Sequence, residues 1–588
     1  MLITKSLYRD YRMFPKLAWL RANDQIRYQK ATRTDSEDMR EYIMELGKTV
    51  EVLVGQYLEA RMGVSLYDAF SDIPEEDSGR LDDDDSWTRE VSFADRMRAN
   101  ISHTREAIER GEPLIYQPGF ELGDCYVRWD YLVQSDLGSY DLIEVKAKSS
   151  VRKEVTDDGE KRKIGKIADE FLYDVAFQRY VIDTVLASWW LPVLRDIMIG
   201  HVNSEYTRRG DIEIDRIITL EKIWEISEIS VVQRKKSITL PIDDTLEGRE
   251  NTLAYIDLMR SELALTEEAF AQIHPFSGSK YLEYFGQDKP ADSIYMLPYS
   301  PSTSIVIKEL HDTSILSLDA VPPDERSRIT GRGAEFLSLY TRSETEPVID
   351  KSALQSELTS LQYPICFYDY ESISTPIPLL DGVSPYQQAV VQYSLHKLFE
   401  DGHIEHFWAV LVWEGDFMVV DVHDMHDQSF DIQTNRIVRA SQEEFLDLMI
   451  SDIGADIETA SFVVWYKDFE NTRNKEIGTK YPKLSDSFKK INERTYDLYV
   501  PFHDYRYFDR AFHGSASIKK VLPVLIPELS YDTLAIGKWD VAMNRLAELM
   551  WDKISDTHER EKIAKDLLIY CRQDSWAMVE IYRKLLSL

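Results

Sequence analysis

Two acidic residues and a lysine in the first third of the sequence have types and spacing that suit hydrolysis of a phosphodiester. Asp130 precedes Glu144 and Lys146, and Lys148 follows two positions later. Because side chains alternate along a strand, a strand over 141–148 places Glu144, Lys146 and Lys148 on one face and apolar residues on the other. Two carboxylates can hold Mg²⁺ or Mn²⁺, and an adjacent ammonium group can stabilise charge on a phosphate or lower the pKa of an attacking water. We therefore predict Asp130 and Glu144 as catalytic metal ligands, Lys146 as catalytic and Lys148 as a nucleic-acid contact.

The elements around these residues must bring Asp130 next to Glu144. Two apolar stretches, 124–134 and 140–147, are separated by a polar turn over 136–139, which predicts a β-hairpin. A helix over 167–186 and a strand over 196–203 extend this into an α/β pattern. The same Glu-x-Lys alternation is also typical of a strand that merely exposes a salt-bridged face.

A second group of acidic residues lies in the C-terminal third. Asp369 and Glu371 end a buried strand that begins near residue 363, and the period of two places both on one face, where they can chelate metal. A helical pattern through residues 567–581 stacks Tyr570 and Asp574 one turn apart, and a phenol beside a carboxylate can orient the water that attacks a phosphate between two metal ions. Glu470, after a buried strand over 461–466, is available as a further ligand. The alternative for the helix is an ordinary surface with a tyrosine against the core.

A short glycine- and serine-containing segment predicts a phosphate contact. Gly514 and two serines precede a helical stretch over 518–525. Free backbone N–H groups at the start of that helix, together with Lys519, can hold a phosphate. Plain helix capping explains the same residues.

Composition indicates several cores in one chain. With 588 residues and 44% hydrophobic content, the chain exceeds the roughly 250–300 residues at which single cores stop growing. We predict an α/β multidomain protein with regions 1–215, 216–355 and 356–588, and find no motif in the middle region that suggests chemistry. Asp401-Gly402 predicts a hairpin, and Ser441 with Glu444 forms a capping-box signature.

Charge, cysteine content and hydropathy restrict the classes of protein. The formal net charge of −34 means that any path for nucleic acid must be local, because phosphates are usually gathered by a positive field. The three cysteines are far apart, which argues against a disulfide framework or a four-cysteine metal site. No apolar run has the length of a membrane span or a signal peptide. We expect a cytoplasmic protein with no membrane partner, and leave its oligomeric state open.

In order along the chain, Asp130, Glu144, Lys146 and Gln178 resemble the motif set of PD-(D/E)XK nucleases of the RecB-like type. The resemblance covers roughly residues 1–210 and implies a mixed sheet with flanking helices and a catalytic role for Gln178. Glu51 occupies the place of the family's first-helix His or Glu. Relatives often carry cysteines that bind an iron-sulfur cluster, but Phe14 stands where the first of these would be. No iron-sulfur cluster is therefore expected.

The second group resembles the DnaQ-like exonucleases that carry a tyrosine in their last motif and have a ribonuclease H-like sheet. This resemblance implies catalytic roles for five residues, namely Asp369, Glu371, Glu470, Tyr570 and Asp574, and metal binding by the first two and the last. Glu470 stands where most such exonucleases have aspartate, and Lys467 stands where many have asparagine.

Further stretches, among them Gln392 to His396 and Gly514 to Lys519, are similar to an uncharacterised bacterial family that joins these two modules. The resemblance implies a Mg²⁺- or Mn²⁺-dependent nuclease acting on DNA or RNA, with a 3′-5′ exonuclease-like C-terminal centre and a RecB-like N-terminal centre. The alternative is a noncatalytic scaffold that retains nuclease folds to bind nucleic acid or protein. The net charge of −34 and the residue types at Glu470 and Lys467 motivate this alternative.

Overall fold

The structure of the protein is a computed structural model. This structure describes residues 1–32, 37–71, 93–135, 138–151, 155–157, 160–162, 169–223, 229–233, 236–240, 246–274, 290–298, 300–413, 418–422, 430–529, 534–536, 539–550 and 554–588. Across these ranges, no helix combines the length and apolar character that crossing a membrane requires.

The first part of the chain, up to residue 274, alternates helices and short strands. Its helices are α1 (Lys5–Met13), α2 (Pro15–Asn23), α3 (Gln25–Thr32), α4 (Glu37–Met62), α5 (Phe93–Arg110), α6 (Asp169–Ser188), α7 (Ile214–Ile217), α8 (Leu246–Leu263) and α9 (Glu267–Ile273). Its strands are β1 (Tyr67–Asp68), β2 (Leu114–Tyr116), β3 (Gly119–Leu122), β4 (Cys125–Arg128), β5 (Tyr131–Gln134), β6 (Tyr140–Val145), β7 (Val155–Asp157), β8 (Glu160–Arg162), β9 (Ile197–Val202), β10 (Ile218–Lys222), β11 (Ile229–Gln233) and β12 (Lys236–Leu240).

A mixed six-stranded sheet organises this N-terminal unit. The strand order is β1-β2-β5-β6-β9-β10. β5 pairs antiparallel with β2 and β6, and β9 runs parallel to β6. The connection from β6 to β9 contains α6, as expected for a crossover between parallel strands. The hairpin predicted from the sequence is confirmed as β5–β6, although residues 136–137 of its turn lie outside the described ranges.

The strands around the first acidic group are shorter than the sequence predicted. The stretch 124–134 is two strands, β4 and β5, and Asp130 lies in the break between them. β6 ends at Val145, so the strand predicted over 141–148 was too long, although Glu144 and Lys146 lie together as predicted, with Lys146 Nζ 2.7 Å from Glu144 Oε1. The strand is buried along its whole length. The reason is that β6 is central and covered on both sides, by α4 residues such as Val54 and by α6 residues such as Val175.

The N-terminal core extends past residue 215, where the sequence analysis placed the first boundary. β10 belongs to the same sheet, and Ile256, Met259 and Phe270, from α8 and α9, lie in the same buried cluster as α1 and α6.

The later part of the middle region is helical and packs against the C-terminal unit. A short 3₁₀ turn (Ile294–Met296) precedes α10 (Pro301–Asp312), α11 (Pro323–Arg328), α12 (Arg332–Arg342), β13 (Val348–Ile349) and α13 (Lys351–Leu358). Apolar residues of the 3₁₀ turn, α10 and α12 form a cluster that includes Phe508 of the C-terminal unit, and Leu354 and Leu358 of α13 lie in the core of the C-terminal unit. β13 pairs antiparallel with the strand Tyr507–Phe508. The middle region is therefore joined to the C-terminal unit by both packing and strand pairing.

The remaining elements form the C-terminal unit. Its strands are β14 (Ile365–Ile373), β15 (Ala389–Leu398), β16 (Ile404–Trp413), β17 (Met418–Asp421), β18 (Ile432–Arg439), β19 (Ser461–Val464), β20 (Thr495–Asp497) and β21 (Tyr507–Phe508). Its helices are α14 (Gln442–Ile453), α15 (Lys467–Lys480), α16 (Ser485–Glu493), α17 (Val500–His503), α18 (Ile518–Leu525), α19 (Trp539–Met550) and α20 (Thr557–Leu586). The predicted capping box of Ser441 and Glu444 is confirmed at the start of α14. The predicted hairpin is also confirmed, since β15 and β16 pair antiparallel across the turn that contains Gly402.

A seven-stranded sheet lies at the centre of this unit, in the order β17-β18-β16-β15-β14-β19-β20. β14, β15 and β16 pair antiparallel in sequence, whereas β14, β19 and β20 run parallel. The carboxyl ends of these three parallel strands therefore lie along one edge. α20 crosses β14 and β15 and buries Leu567, Tyr570 and Cys571 against them.

The N-terminal and C-terminal units contact each other through the loop that follows β14. Arg208 donates to the backbone carbonyls of Pro378 and Leu379, at 3.1 and 2.6 Å. Arg208 N–H donates to Val383 O, and Gly382 N–H donates to Arg208 O. These bonds tie the loop after β14 to the N-terminal unit.

Candidate metal centres

Buried polar contacts hold α20 in place across the central strands of the C-terminal sheet. Gln392 Nε2, on β15, donates to the carbonyl oxygen of Leu567 at 2.7 Å. The hydroxyl oxygens of Ser394 and Ser575 are 2.5 Å apart. Because Asp574 adjoins Ser575 in the helix, these contacts fix where its carboxylate lies relative to β14.

Asp369, Glu371 and Asp574 form one cluster. One carboxylate oxygen of each residue lies within 4.8 Å of the other two. Asp369 and Glu371 share a face of β14 because they are two positions apart, and α20 packs on that strand. Glu371 is buried, and the other two residues are partly buried. The fold thus brings together the three C-terminal residues that the sequence predicts as metal ligands.

Burial and mutual repulsion disfavour the fully ionised form of this cluster. Burial raises the pKa of Asp369 well above its ordinary value, and the charges of Asp574 and Glu371 raise it further. Burial and Asp574 also raise the pKa of Glu371, while the positive charge of Lys519 acts in the opposite direction. A divalent cation offsets such repulsion, and carboxylate oxygens are the ligands that Mg²⁺ and Mn²⁺ prefer. The residues present therefore fit the predicted metal ion.

Glu470 lies near the cluster but outside the group of three mutually close carboxylates. It is buried in the first turn of α15, and its Oε2 has no hydrogen-bond partner among the described residues. Burial raises the pKa of Glu470 to about 8. The charge of Glu470 also contributes to the raised pKa of Asp369. Glu470 thus interacts electrostatically with Asp369 but is not one of the three mutually close carboxylates.

Asp497, at the end of β20, holds the turn that leads from β19 into α15. Its Oδ1 accepts from the backbone N–H of Tyr466 at 2.9 Å and of Tyr499 at 3.1 Å, and its Oδ2 accepts from Lys467 N–H at 3.1 Å. Tyr466 has a left-handed backbone, with φ of 75°, which is uncommon for a non-glycine residue. Asp497 thereby fixes the start of the helix that carries Glu470.

Tyr570 and Asp574 lie one turn apart on α20, as the helical pattern predicts. The Tyr570 side chain is 2% exposed, and its hydroxyl lies 3.5 Å from Lys519 Nζ. Lys519 itself is exposed in the first turn of α18. Since its charge lowers the pKa of Glu371, Lys519 supplies positive charge beside the acidic cluster.

In the N-terminal unit, two lysines hold the carboxylate of Glu144. Lys146 Nζ donates to Glu144 Oε1 at 2.7 Å, and Lys5 Nζ donates to the same oxygen at 2.9 Å. Lys146 Nζ also donates to Asp174 Oδ2, on α6, at 3.1 Å. Glu144 and Asp174 are each 1% exposed. A buried carboxylate pair is therefore neutralised by two ammonium groups from different parts of the chain.

Asp130 lies opposite Glu144, and its pKa is shifted in the opposite direction. Tyr131 pairs with Ile143, so Asp130 and Glu144 occupy the adjacent position, and Asp130 Oδ2 accepts from Val145 N–H at 2.6 Å. Burial raises the pKa of Asp130 to about 8, with a further contribution from Glu144. Burial alone would raise the pKa of Glu144 too, but Lys146 and Lys5 outweigh it and lower the pKa to about 2.

Several buried polar atoms around Glu144 have no hydrogen-bond partner in the described parts of the chain. They are Glu144 Oε2, Asp174 Oδ1 and both amide atoms of Gln178. Gln178 is fully buried on α6, one turn after Asp174. Because an unpaired buried polar atom is costly, this group fits a bound cation or water. The N-terminal centre thus offers two predicted ligands, Asp130 and Glu144, with unpaired atoms around them.

Sequence reasoning missed Lys5 and Asp174 as members of this centre. A signal for Asp174 existed, because it stands four residues before Gln178 on a predicted helix and so shares its face. Lys5 has no comparable signal, since it reaches β6 through tertiary contacts of its segment, among them the packing of α1 on α6 and the pairing of Ile3 with Cys125. Glu51 lies nearby: its Oε2 accepts from Tyr116 OH at 3.1 Å, and burial and Glu144 raise its pKa. Lys148 is exposed beyond the end of β6.

This chain is similar in sequence to a domain family and to proteins whose function is not described. A family model described as "Domain of unknown function (DUF2779)" matches residues 366–517. An uncharacterised protein of Ureaplasma parvum is 25% identical over 272 residues, covering 42% of this chain and 34% of that protein. An uncharacterised protein of Mycoplasma pneumoniae is 27% identical over 231 residues, covering 37% of this chain and 31% of its own length. The chain spans about a third of the length of the curated relatives it matches. No solved structure matches it.

Proposed function

We propose that the protein is a divalent-metal-dependent nuclease in which the C-terminal centre hydrolyses phosphodiester bonds from the 3′ end of a nucleic-acid strand. The observation that carries the proposal is the convergence of Asp369, Glu371 and Asp574 within 4.8 Å. These residues come from a central strand and the last helix, and the sequence predicted all three as metal ligands.

Strand order supports the module assignments within this proposal. The C-terminal sheet contains the strand order β16-β15-β14-β19-β20, in which pairing is antiparallel on one side of β14 and parallel on the other. This arrangement is the one expected of a ribonuclease H-like sheet. The N-terminal sheet contains the strand order β2-β5-β6-β9, and α6 connects its last two strands. This is the mixed sheet expected of a PD-(D/E)XK nuclease.

The residues around the C-terminal cluster divide the chemistry among them. A bound divalent cation supplies positive charge that polarises the phosphoryl group and orients the attacking water. Asp369, Glu371 and Asp574 hold that cation. Lys519 contacts the phosphate backbone. Glu470, a buried carboxyl in the first turn of α15 beside this cluster, is placed to exchange a proton with the reacting groups.

The N-terminal centre supports a second hydrolytic or substrate-positioning site. Asp130 and Glu144 hold the cation there, while Lys146, tied to Glu144 and Asp174, provides the positive charge that stabilises the phosphate. Gln178, fully buried one turn after Asp174 on α6, contributes an amide whose two polar atoms have no partner among the described residues.

A comparison of two double variants tests the proposal and assigns activity to a centre. Labelled single-stranded and double-stranded DNA and RNA are incubated with Mn²⁺ and wild type, Asp369→Ala with Asp574→Ala, or Glu144→Ala with Lys146→Ala. Loss of 3′ trimming in the first variant alone supports the assignment. Wild-type cleavage by both variants contradicts the proposal.

A noncatalytic scaffold is the second candidate, favoured by the net charge of −34, which weakens the binding of a polyanionic substrate. It predicts that nucleic acid or protein is bound without any metal-dependent turnover.

A further inference from the structure

A cavity of about 290 Å³ lies where the middle helices meet the C-terminal unit. Gly514 and Ser515, from the segment that the sequence predicted as a phosphate contact, lie at its border. Phe336 and Arg332 of α12 contribute one side, and Tyr499, Phe502, Tyr505 and Phe508 contribute the other. The volume lies near the lower end of the range for small-ligand sites, roughly 300–1,000 Å³. It therefore suits one planar group rather than an extended ligand.

Aromatic rings form both the floor and the rim of this cavity. Phe336, Phe502 and Phe508 are buried, whereas Tyr499 and Tyr505 are only partly buried. Phe336 makes edge contacts with Phe508 and Tyr505, with ring centroids 5.3 and 6.1 Å apart. The floor is therefore built from buried rings in mutual contact, and the rim tyrosines have surface available to a ligand. Aromatic rings of this kind stack on nucleobases with little regard to base identity.

The side chains of Arg332 and Asp509 border the same opening. Arg332 is exposed, its guanidinium carbon lies 4.9 Å from the centre of the Tyr505 ring, and it donates to the backbone carbonyl of His503. The carboxylate of Asp509 also lines the cavity but accepts from Ala511 N–H at 2.8 Å. The opening thus combines stacking surface with a cation held over an aromatic ring.

Two short segments link the cavity to the acidic cluster. β20 ends at Asp497, two residues before Tyr499, and runs parallel to β19 and β14, so it ends at the sheet edge that carries the cluster. On the other side, Ala516 lines the cavity three residues before Lys519, which reaches Tyr570. Residues that line the cavity are therefore only a few positions in sequence from residues beside the cluster, on two separate segments.

We propose that this cavity binds one unpaired nucleobase of a single-stranded nucleic acid whose backbone continues to Asp369, Glu371 and Asp574. The inference rests on the proposed nuclease function and gives the middle region a role in it. Stacking suits this protein because a chain of net charge −34 cannot rely on a general positive field to gather phosphates.

Binding without turnover tests the cavity directly. Fluorescein-labelled oligothymidylate and oligouridylate are titrated with full-length protein in EDTA, and anisotropy gives Kd. In parallel oligonucleotides, a single abasic residue is moved stepwise from the 3′ end. The variants are Tyr499→Ala, which removes a rim ring, Tyr499→Phe, which keeps it, and Ala516→Trp, which fills the cavity. Trp190→Ala, at an aromatic side chain that is 95% exposed in the N-terminal unit, is the matched control.

We expect one abasic position to weaken wild-type binding by about five-fold or more, the size of a lost base stack. Tyr499→Ala and Ala516→Trp should weaken binding of the intact strand by a similar factor. In these two variants, the Kd should no longer change when the abasic residue is placed at that position. Tyr499→Phe and Trp190→Ala should behave as wild type. Should Tyr499→Ala fail to fold, Ala516→Trp and the abasic series still decide.

Three results would overturn the inference: no binding of either oligonucleotide, no abasic position that matters, or wild-type affinity in both cavity variants. An abasic effect that depends on the cavity, in a protein that never cleaves, would instead refute the nuclease function and leave the base site intact. Cleavage by wild type with no cavity dependence would refute only the base site.

Discussion

Lys5 Nζ donates a 2.9 Å hydrogen bond to Glu144 Oε1 across a separation of 139 positions in the sequence. With Lys146 on the same oxygen, it allows a carboxylate that is 1% exposed to stay ionised inside the N-terminal unit. The first helix is thus part of the N-terminal centre and not merely a neighbour of it.

Replacing Lys5 by alanine should destabilise the protein by about 1.5–3 kcal/mol, the usual contribution of a hydrogen bond to a charged group. Burial and the two lysines together set the pKa of Glu144 at about 2, below its value in an unfolded chain. Its contribution to stability is therefore present above pH ~4.3 and is lost as the pH falls toward 2. Urea denaturation at pH 7 and pH 3 measures the effect, which should shrink at pH 3.

Arg9→Ala is the control for that experiment. Arg9 pairs with Asp174 at 3.8 Å but its side chain is 39% exposed, so the loss should be below about 1 kcal/mol. Equal losses for the two variants, or an effect of Lys5→Ala that does not change with pH, would contradict the assigned role of Lys5.

Asp369→Asn should stabilise the metal-free protein at pH 8 and abolish its response to Mn²⁺. Burial and the charges of Asp574 and Glu371 raise the pKa of Asp369. A raised pKa means that its stabilising effect holds at low pH and is lost as the pH rises through the folded value. Wild type should therefore lose stability as the pH rises and recover it with Mn²⁺, and the recovery should grow with pH.

The measurement is the melting temperature across pH 5–9 with and without Mn²⁺. Asp447→Asn, at an exposed carboxylate on α14, is the matched control and should keep the wild-type response. A Mn²⁺ response that survives in Asp369→Asn would place the metal elsewhere.

Gln392→Ala should weaken metal binding without touching a ligand. The Gln392 amide donates to Leu567 O at 2.7 Å and is completely buried, so its loss removes a buried hydrogen bond between β15 and α20, at a cost of about 0.5–1.5 kcal/mol. Because α20 carries Asp574, a looser helix should lower Mn²⁺ affinity as measured by calorimetry. Unchanged affinity together with reduced stability would show that Gln392 serves packing alone.

Asp497→Ala should lower stability by about 0.5–2 kcal/mol through loss of a helix cap. Asp497 accepts two backbone N–H groups at the start of α15, from Tyr466 and Lys467, and a third from Tyr499. The turnover rate should fall because Glu470 lies in that first turn, whereas Mn²⁺ affinity of the three-carboxylate cluster should stay near that of wild type. Asp497→Asn, which keeps one acceptor oxygen, should recover part of both losses. Loss of Mn²⁺ binding in Asp497→Ala would instead make Asp497 a ligand.

Local patterns predicted the elements better than they predicted the composition of the sites. The period of two in β14 and the helical spacing in α20 correctly paired Asp369 with Glu371 and Tyr570 with Asp574, because both depend on neighbours in sequence. By contrast, the sequence correctly placed Glu144 beside Lys146 but not the length of β6 or its burial on both sides, because that burial depends on α4 and α6. Lys5 and the aromatic cavity could not be predicted, since distant segments form them only on packing.

The most direct test of the central claim is the release of nucleotides from the 3′ end of a labelled single strand by wild type, Asp574→Asn and Asp447→Asn in Mn²⁺. The account predicts stepwise trimming by wild type and Asp447→Asn, arrest with EDTA, and a loss of at least about 100-fold in Asp574→Asn, comparable to removal of one charge-stabilising group from an active site. Trimming by Asp574→Asn at the rate of wild type would contradict it.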